Sequence, residues 1–333
     1  MDVTTKYISE GMAFYKWALA FADKRVADWP LMQSPIPTLC ISLLYLLFVW
    51  LGPRLMHGHD AFQLRGLLVV YNFAVLLLNL YIASELFMAA RAANYSYVCQ
   101  PVSYTNDINE MRIAAALWWY YISKGVEYVD TVLFVLRKKF GHVSFLHVYH
   151  HVTMFMLWWI GLKWVAGGQS FFGAHLNAAI HVIMYTYYGL SALGPAFHKY
   201  LWWKKYLTIL QLIQFHISIG HTAYSLYVDC PFPKWMHWSL MVYSASFIVL
   251  FGEFYYRTYQ VNKRSGGHPE QGRIKHMAVN GGPAHLVVSP SQPRTESSKH
   301  DGTSHGSKLN GQEGPAQESG GRRRRHRGKG KKD

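Results

Sequence analysis

Seven mainly apolar stretches recur between residues 36 and 257, and short polar segments separate them. An α-helix needs about 20 apolar residues to cross the hydrocarbon core of a bilayer. The pattern therefore predicts an all-α integral membrane protein with seven transmembrane helices. The predicted spans cover residues 36–53, 66–89, 113–136, 148–166, 171–194, 206–227 and 236–257.

The segments that flank this block differ from it in composition. Residues 1–35 contain KWALAFADKRVADW, which predicts an amphipathic helix at a membrane interface. They lack the continuous apolar run of a cleavable signal peptide. Residues 259–333 are rich in Gly, Ser, Pro and basic residues and predict a disordered tail, because their apolar surface is too small to offset the entropy lost on ordering. The helical domain is therefore expected to comprise residues 36–258.

The distribution of charge agrees with this division. Charged residues make up 15% of the chain, well below the roughly 25% of soluble domains. The formal net charge is +15, and the tail carries 15 Lys and Arg residues against 6 Asp and Glu residues, or +9 of that total. Its cluster RRRRHRGKGKK is expected to be solvated, with contact to anionic lipid head groups as the alternative. Attachment to a membrane-embedded chain argues against nucleic-acid binding.

The Lys and Arg residues beside the spans favour one orientation, because cytosolic loops carry an excess of them. One set of loops holds Arg54, Arg65, Arg137, Lys138, Lys139, Lys199, Lys204 and Lys205. The opposite set holds Arg91, Arg112, Lys163 and Lys234. The basic tail lies on the side of the first set. We therefore expect a multi-pass protein with a cytosolic C-terminus and a lumenal N-terminal segment.

Two features fall in the loops predicted to be lumenal. Asn94 begins the glycosylation acceptor sequence Asn-Tyr-Ser. Cys99 and Cys230 lie in two of these loops, where an oxidising environment allows a disulfide bond between them; two free thiols are the alternative. The third cysteine, Cys40, lies within the first span and is expected to be a small buried apolar residue.

Ionisable side chains within membrane spans are rare and are functional candidates by default. The sequence HVYHH places His147, His150 and His151 at positions i, i+3 and i+4, so the three side chains share one helix face. The segment follows the basic sequence RKKFGH. The three imidazoles are therefore expected at the cytosolic edge of the fourth span.

Three further polar clusters lie in other spans. KGVEYVDT aligns Lys124, Glu127 and Thr131, with Asp130 at the margin of the stripe. NAAIHVIMYTYY aligns Asn177, His181, Met184 and Tyr188, with Tyr185 beside them. TILQLIQF aligns Thr208, Gln211, Gln214 and Phe215. Each cluster also has a purely structural alternative. For KGVEYVDT it is an ion pair between helices, for NAAIHVIMYTYY aromatic packing, and for TILQLIQF hydrogen bonding between helices. Together the clusters predict a polar centre near the cytosolic side, which suits a substrate with a polar head and a long apolar tail.

The histidine cluster is compatible with two kinds of chemistry. Membrane desaturases and hydroxylases bind iron through HxxHH motifs, but they carry further histidine boxes, and the other histidines of these spans are isolated. A neutral imidazole is also a competent nucleophile toward a thioester, and a second imidazole can move protons. Acyl transfer without a metal is the favoured hypothesis, and metal-dependent lipid oxidation is the alternative. A receptor or transporter without chemistry is disfavoured by the histidine box.

HVYHH, KGVEYVDT, NAAIHVIMYTYY and TILQLIQF, in this order, resemble the very-long-chain fatty acid elongase family over roughly residues 20–265. Four further stretches narrow the resemblance to one type within that family. These are ADKRVADWPLMQSPIPTL, LHVYHHVTMF, KWVAGGQSFFGA and DCPFPKWMHW.

The resemblance implies an enzyme of the endoplasmic reticulum in which six of the seven helices enclose a closed acyl tunnel. Such an enzyme condenses a saturated or polyunsaturated very-long-chain acyl-CoA with malonyl-CoA and releases CO₂, CoA and a 3-oxoacyl-CoA. The resemblance implies no cofactor beyond these two substrates. It implies partners in a 3-oxoacyl-CoA reductase, a dehydratase and an enoyl reductase, and oligomers with itself or with other elongases.

The resemblance also assigns roles to residues of the four motifs. His150 is expected to be the nucleophile that takes the acyl group, with His181 beside it to handle the proton or the malonyl group. His147 and His151 are expected to orient and to hydrogen-bond. The residues expected to line the site are Lys124, Glu127, Asp130, Asn177, Tyr185, Tyr188, Gln211 and Gln214. The basic residues expected to attract the CoA phosphates are Arg137, Lys138, Lys139, Lys204 and Lys205.

The terminal sequence KGKKD predicts retention in the endoplasmic reticulum. Lys331 and Lys329 stand third and fifth from the end, which matches a dilysine retrieval signal of the form K-x-K-x-x. Such signals are addresses read by a receptor. In cells that lack partner elongases, replacing both residues by Ser is expected to let the protein reach the Golgi, as scored by fluorescence imaging. Lys332→Ser is the control and leaves the location unchanged. Retention of the double variant would contradict the prediction.

Overall fold

The computed structural model describes residues 3–261. Its helices are α1 Val3–Leu19, α2 Ile36–Leu55, α3 Arg65–Ala92, α4 Ile108–Val126, α5 Tyr128–Leu136, α6 Phe145–Trp164, α7 Ser170–Ala192, α8 Lys204–Tyr227 and α9 Lys234–Tyr255. Single short helical turns occupy several of the connections, and no strand occurs between residues 3 and 261. The predicted tail from residue 262 onward, with Lys329 and Lys331, lies outside the described residues.

Each predicted span coincides with one helix, except that residues 113–136 are divided between α4 and α5. Three helical segments are long and apolar enough to cross a membrane by length and composition alone: Ile36–Gly58, Arg65–Ala92 and Lys234–Gln260. Of the remaining helices, α4, α6, α7 and α8 carry polar residues of the four motifs, which lower their hydropathy, and α5 has only nine residues. The described part of the chain is therefore all-helical, with apolar helices suited to a bilayer.

The loops between helices gather at two opposite ends of the bundle. At one end, Phe62 donates its backbone N–H to the carbonyl of Leu136 at 3.0 Å, and the Arg65 guanidinium bonds the carbonyls of Ala192 and Leu193. These contacts join the α2–α3, α5–α6 and α7–α8 connections. We call this end the histidine end, because the histidine box begins α6 there.

The opposite end, which we call the disulfide end, joins the loops after α3, α6 and α8. Cys99 and Cys230 form a disulfide bond across two of these loops, with their Cα atoms 5.6 Å apart. The amide of Gln169, in the α6–α7 connection, donates to the Val98 carbonyl at 3.1 Å and accepts from the Gln100 N–H at 2.9 Å. Asn94, the predicted glycosylation acceptor, is exposed just after α3.

The centre of the bundle is packed around α4, whose core residues are almost fully buried. Tyr121 stacks on Phe155 of α6, with ring centroids 4.9 Å apart and ring planes 2° from parallel. Gly125 permits this packing, because a Cβ atom there would lie 2.9 Å from the Phe155 ring. Such close packing of aromatic rings holds α4 and α6, which carry two of the four motifs, in a fixed relation.

The structure corrects the expected helix within KWALAFADKRVADW. The helix α1 begins earlier, at Val3, and ends at Leu19, while the following residues form turns. Indole and ammonium donors of α6 hold these turns: Trp164 donates to the Ala18 carbonyl and Lys163 to the Met32 carbonyl, both at 2.8 Å. These backbone carbonyls bond to side chains of another helix, and this tertiary network replaces the predicted helix.

The expected burial of Cys40 is also wrong, since this residue is exposed. The buried face of α2 instead carries Thr38, Ser42, Tyr45 and Gly52. An apolar span of a membrane protein has no hydropathy contrast between its lipid-facing and protein-facing sides. Hydropathy alone therefore does not orient this helix.

The disulfide bond leads to a prediction about stability. The bond closes a loop of 131 residues, so its loss is expected to cost a few kcal/mol on the chain-entropy estimate, reduced by membrane confinement of the unfolded chain. Cys99→Ser with Cys230→Ser should lower the thermal unfolding midpoint in detergent, whereas Cys40→Ser should not. Non-reducing peptide mapping should find the two peptides linked. Two free thiols in folded protein would refute the pairing.

Candidate active site

The polar centre lies where the helical segment formed by α4 and α5 is interrupted, at Glu127. The Lys124 ammonium lies 2.8 Å from Glu127 Oε1, and both residues are only 1% exposed. His181 of α7 approaches the same pair, with its Nδ1 3.2 Å from Glu127 Oε1 and 3.4 Å from Lys124 Nζ. Two motifs that are more than fifty residues apart in sequence thus form one buried charged cluster.

Asn177 extends this cluster by about one turn of α7. Its side-chain oxygen accepts a hydrogen bond from the Tyr120 hydroxyl at 2.6 Å and another from Lys124 Nζ at 3.3 Å. The ammonium also lies 4.5 Å from the centre of the Tyr120 ring. A buried cation is costly without partners, and here Lys124 has a carboxylate, an amide oxygen and an aromatic face.

The first histidine of the box belongs to a second hydrogen-bonded group. His147 Nε2 lies 2.7 Å from the Thr131 hydroxyl, which also bonds the Tyr45 hydroxyl of α2 at 3.0 Å. Ser144 begins α6 by accepting the His147 backbone N–H at 3.3 Å. The position of His147 is therefore fixed through both its backbone and its ring.

Within the described part of the chain, the rings of the second and third histidines, His150 and His151, make fewer hydrogen bonds than the ring of His147. The ring of His150 makes no hydrogen bond with any residue between 3 and 261, and its centroid lies 6.3 Å from that of His181. The Phe247 ring packs against it at 5.6 Å. His151 is buried, and its Nδ1 has no partner within the described part of the chain. The site therefore holds two imidazoles with ring nitrogens that are available to another molecule.

Asp130 and Tyr185 form a separate pair at the margin of the centre. The Tyr185 hydroxyl donates to Asp130 Oδ2 at 2.7 Å, and the Tyr185 ring is fully buried. The Tyr185 ring lies 6.0 Å from the ring of His181. This pair closes the side of the site between α5 and α7.

Three other residues expected to line the site lie on α7 and α8. Gln211 donates to the sulfur of Met184 at 3.6 Å. Gln214 is buried on α8. Tyr188 is 39% exposed and packs against the rings of Tyr185 and Tyr187. No hydrogen bond among residues 3–261 joins these three side chains to the imidazoles.

Other residues join the site without having been identified from the sequence. They are Tyr120, Tyr45, Tyr243 and Phe247. Tyr120 precedes Lys124 by four residues and so shares its helix face, which is a signal that the sequence contains. Ser42 follows Thr38 by four residues and Tyr45 follows Ser42 by three, which marks a polar stripe on the first span. Tyr243 and Phe247 of α9 show no such pattern in the sequence. Only the packing of α9 against α6 places their rings at the site.

An apolar cavity of about 340 Å³ lies between α6, α7, α8 and α9 on the disulfide side of the histidines. Its lining residues include Trp158, Gly161, Gln169, Phe172, Gly173, Ser218, His221, Phe232, Met236 and Tyr243. Tyr243 links it to the site, because its hydroxyl bonds Thr153 Oγ1 at 2.6 Å and its ring packs on Phe247 at 4.7 Å. Contacts through Tyr243 and Phe247 thus connect the cavity wall to His150.

Cationic side chains surround the loop that precedes the histidine box. His142 stacks on Phe134 with ring centroids 5.0 Å apart. Partial desolvation lowers the pKa of the His142 imidazole, and the positive charges of Lys204, Lys139 and Arg137 lower it further. Since these cations act on one imidazole, they lie close enough to one another to create a positive potential at the histidine end.

The donor set does not favour a metal ion. Within residues 3–261, no group of three or more His, Cys, Asp and Glu side chains is arranged to hold one. His147 is bonded to Thr131, and the carboxylate nearest to the box, Glu127, is neutralised by Lys124. A metal that used His147 or Glu127 as a ligand would have to displace the corresponding interaction.

The fold and the site define a membrane-embedded helical protein. It holds a buried charged cluster, imidazoles without hydrogen bonds to the described residues, and an adjacent apolar cavity. A profile of the family described as ELO, GNS1/SUR4, matches residues 30–267. The chain belongs to this family of membrane proteins.

Several relatives agree with this membership. "Very long chain fatty acid elongase 4" of Mus musculus is 64% identical over 84% of this chain and 88% of its own length. The protein of the same name from Homo sapiens is 63% identical over 84% of this chain and 87% of its own length. "Very long chain fatty acid elongase 2" of Mus musculus is 42% identical over 87% and 97%. The resemblance to one type within the family, the fourth vertebrate type, is confirmed by this order of identities.

The buried ion pair leads to a prediction about stability. Glu127→Gln leaves the Lys124 ammonium without its anion, and Lys124→Met leaves the carboxylate without its cation. Each single change is expected to cost about 3–5 kcal/mol of unfolding free energy, because it leaves an uncompensated charge in a dry site. The double variant should regain most of this loss, because it buries neither charge. Denaturant titration in detergent micelles measures the four free energies.

The exposed pair Lys6 and Glu10 of α1 provides the control. Its charged atoms are 4.0 Å apart, and both side chains are more than half exposed. The equivalent cycle, Lys6→Met with Glu10→Gln, should leave the unfolding midpoint unchanged. Additive losses for Lys124 and Glu127 would show that the two residues act independently and would contradict the assignment.

Proposed function

We propose that this protein is the condensing enzyme of fatty acid elongation, a 3-oxoacyl-CoA synthase. It joins a saturated or polyunsaturated very-long-chain acyl-CoA to malonyl-CoA and releases CO₂, CoA and a 3-oxoacyl-CoA. The observation that carries the proposal is the pairing of an uncommitted imidazole, His150, with His181, which Glu127 and Lys124 hold in place. The names of the relatives, very long chain fatty acid elongases, support the substrate class.

In the first half of the reaction, a ring nitrogen of His150 attacks the thioester carbonyl carbon. The carbon–sulfur bond breaks, CoA departs as a thiolate, and the acyl group is left on the imidazole. Imidazole suits this step because it attacks without prior deprotonation. The acylated ring releases the proton of its other nitrogen, and His181 receives this proton and passes it to the thiolate.

His181 can take that role because its Nδ1 faces Glu127. A carboxylate acceptor at 3.2 Å favours the tautomer with the proton on Nδ1, which leaves the lone pair of Nε2 free as a base. Lys124 balances the carboxylate charge, so that Glu127 remains an acceptor and not a proton donor. Glu127 and Lys124 are therefore positioning residues that act through His181.

In the second half, malonyl-CoA loses CO₂, and the electron pair of the broken carbon–carbon bond forms an enolate. The enolate carbon attacks the acyl carbon, the bond to His150 breaks, and the departing imidazole takes up one proton from solvent, which balances the loss of CO₂ from a carboxylate. The hydrogen-bonding capacity of His151 Nδ1, which is unused by the described residues, is suited to a polar group of the bound substrate. His147, held by Thr131, orients the box.

The two substrates present their CoA groups at the histidine end. The cations Arg137, Lys139 and Lys204, which act together on His142, provide positive potential for the phosphates. Lys138 stands between Arg137 and Lys139 in the sequence, and Lys205 follows Lys204 at the start of α8. The acyl chain extends the other way, into the cavity beyond Tyr243. Exclusion of water by this apolar space protects the acyl-imidazole from hydrolysis.

The same proposal includes seven membrane spans with six of them around a closed acyl tunnel. The alternation of loops between the histidine end and the disulfide end supports an odd number of crossings from α2 to α9. We place the histidine end and the C-terminus in the cytosol and the disulfide end in the lumen of the endoplasmic reticulum. Glycosylation of Asn94, oligomers with elongases, and cooperation with the 3-oxoacyl-CoA reductase, dehydratase and enoyl reductase belong to this proposal.

Metal-dependent desaturation or hydroxylation is the competing hypothesis. The hydrogen bond of His147 to Thr131 and the pairing of Glu127 with Lys124 favour condensation over it, since both interactions occupy potential metal ligands. Thorough chelation is expected to leave activity intact. Stoichiometric zinc or iron whose removal abolishes activity would support the competing hypothesis instead.

The acyl-enzyme is directly testable. With a very-long-chain acyl-CoA alone, the purified protein should release about one CoA per active site, because the reaction is split into two steps. Mass spectrometry should find the acyl mass on the peptide that contains HVYHH. Addition of malonyl-CoA should then yield a 3-oxoacyl product two carbons longer.

Two histidine variants separate the two steps. His150→Ala should neither release CoA nor gain the acyl mass. His181→Ala should acylate slowly and fail to condense. His216→Ala, an exposed histidine of α8 bonded to its own helix, is the control with unchanged behaviour. Full acylation of the His150→Ala protein would refute the proposed nucleophile.

A further inference from the structure

The cavity between α6, α7, α8 and α9 presents a carbon surface despite its hydroxyl side chains. Ser218 donates its hydroxyl to the Gln214 carbonyl at 2.9 Å, and Thr222 donates to the Ser218 carbonyl at 2.8 Å. Ser170 likewise bonds carbonyls of the preceding loop. Because these hydroxyls are satisfied by the backbone, the space beside them suits hydrocarbon better than a polar ligand.

Residues of the disulfide end of the bundle line the far end of the cavity. Phe232 lines the cavity and packs with the buried Cys230 and Val165. His221 also lines it, stacks on Phe172 at 3.8 Å, and lies 2.8 Å from the Tyr97 carbonyl through Nε2. A chain that enters from the histidine side therefore meets a packed wall tied together by the disulfide bond.

Gly173 stands in the wall of this cavity with space in front of it. A Cβ atom built at this position meets no atom within 4 Å. At the other glycine of the wall, Gly161, a Cβ atom would lie 3.3 Å from the Met236 side chain. Gly173 precedes His181 by eight residues of α7, which corresponds to ~12 Å along the helix axis. It therefore marks a definite depth below the reacting histidines.

We propose that Gly173 determines the longest acyl chain that the protein accepts. The absent side chain leaves room for the distal carbons of a long chain, and because a Cβ atom here meets no protein atom within 4 Å, a larger residue extends into that room. This inference rests on the proposed function, since it concerns the acyl chain of the same reaction. It assigns chain-length selection to a position that carries no reactive group.

The test compares Gly173→Leu with Gly220→Leu over acyl-CoAs of graded length. Gly220 lies on α8, also has no atom within 4 Å of a built Cβ, and is exposed outside the cavity wall. Both changes raise helix propensity equally. Gly173→Leu should lower kcat/KM for the longest substrates by roughly 10-fold or more and leave the shortest unaffected. Gly220→Leu should keep the wild-type profile.

The outcomes separate the two proposals. A wild-type protein that condenses no acyl-CoA of any length refutes the proposed function. A wild-type protein that condenses, with a Gly173→Leu variant that keeps its length profile or loses activity equally at all lengths, refutes the inference about Gly173 alone. Size-exclusion chromatography and the intact Cys99–Cys230 bond verify that each variant is folded.

A labelling experiment gives a second measurement that does not depend on turnover by the leucine variant. Gly173→Cys in a Cys40→Ser background is treated with a membrane-permeable maleimide after incubation with a short or a long acyl-CoA. The long substrate should protect Cys at this position and the short one should not, whereas Gly220→Cys should label equally in both. Equal labelling of Gly173→Cys with both substrates would overturn the proposal.

Discussion

The buried pair of Lys124 and Glu127 is the interaction on which the rest of the site depends. An ion pair in a dry interior offsets the desolvation of its charges only when the remaining hydrogen-bonding groups are also satisfied. In this protein Asn177 and the ring of Tyr120 complete the surroundings of the ammonium, and His181 completes those of the carboxylate. The charges therefore fix α4 against α7, and they fix the orientation of one imidazole as a consequence.

The histidines of the site differ in their hydrogen bonds to the protein. His147 is tied to Thr131 and His181 to Glu127, whereas His150 between them keeps its ring free. A nucleophile has to retain an available lone pair, and the groups around it have to be rigid for its position to be defined. The aromatic rings of α4 and α6 provide that rigidity, since Tyr121 and Phe155 stack directly beneath this region.

Different kinds of side chain occupy successive levels along the length of the bundle. The histidine end holds the charged groups, the middle holds the imidazoles and a layer of aromatic rings, and the cavity lies toward the disulfide end. Hydroxyls in the cavity wall are turned back to their own helices, so polarity falls along the path from His150. This gradient matches a substrate with a charged head and a hydrocarbon tail, and the family membership of the chain agrees with it.

The sequence by itself determined the positions of the helices from α2 onward, apart from the break at Glu127, and the grouping of polar residues along each of them. The spacing of HVYHH placed three imidazoles on one face, because the helical period fixes neighbours within a single element. The same reasoning aligned Lys124 with Glu127 and Asn177 with His181, and similarity over most of the chain identified the family.

Only the tertiary structure decided which faces meet. The contact of His181 with Glu127, the position of Gln211 beside Met184, and the exposure of Cys40 all depend on helix rotation about its own axis. In an apolar span, hydropathy differs little between the sides facing lipid and protein, so the sequence pattern does not encode that rotation. Side-chain volume, hydrogen bonds between helices and the packing of rings set it instead, and these are properties of pairs of elements.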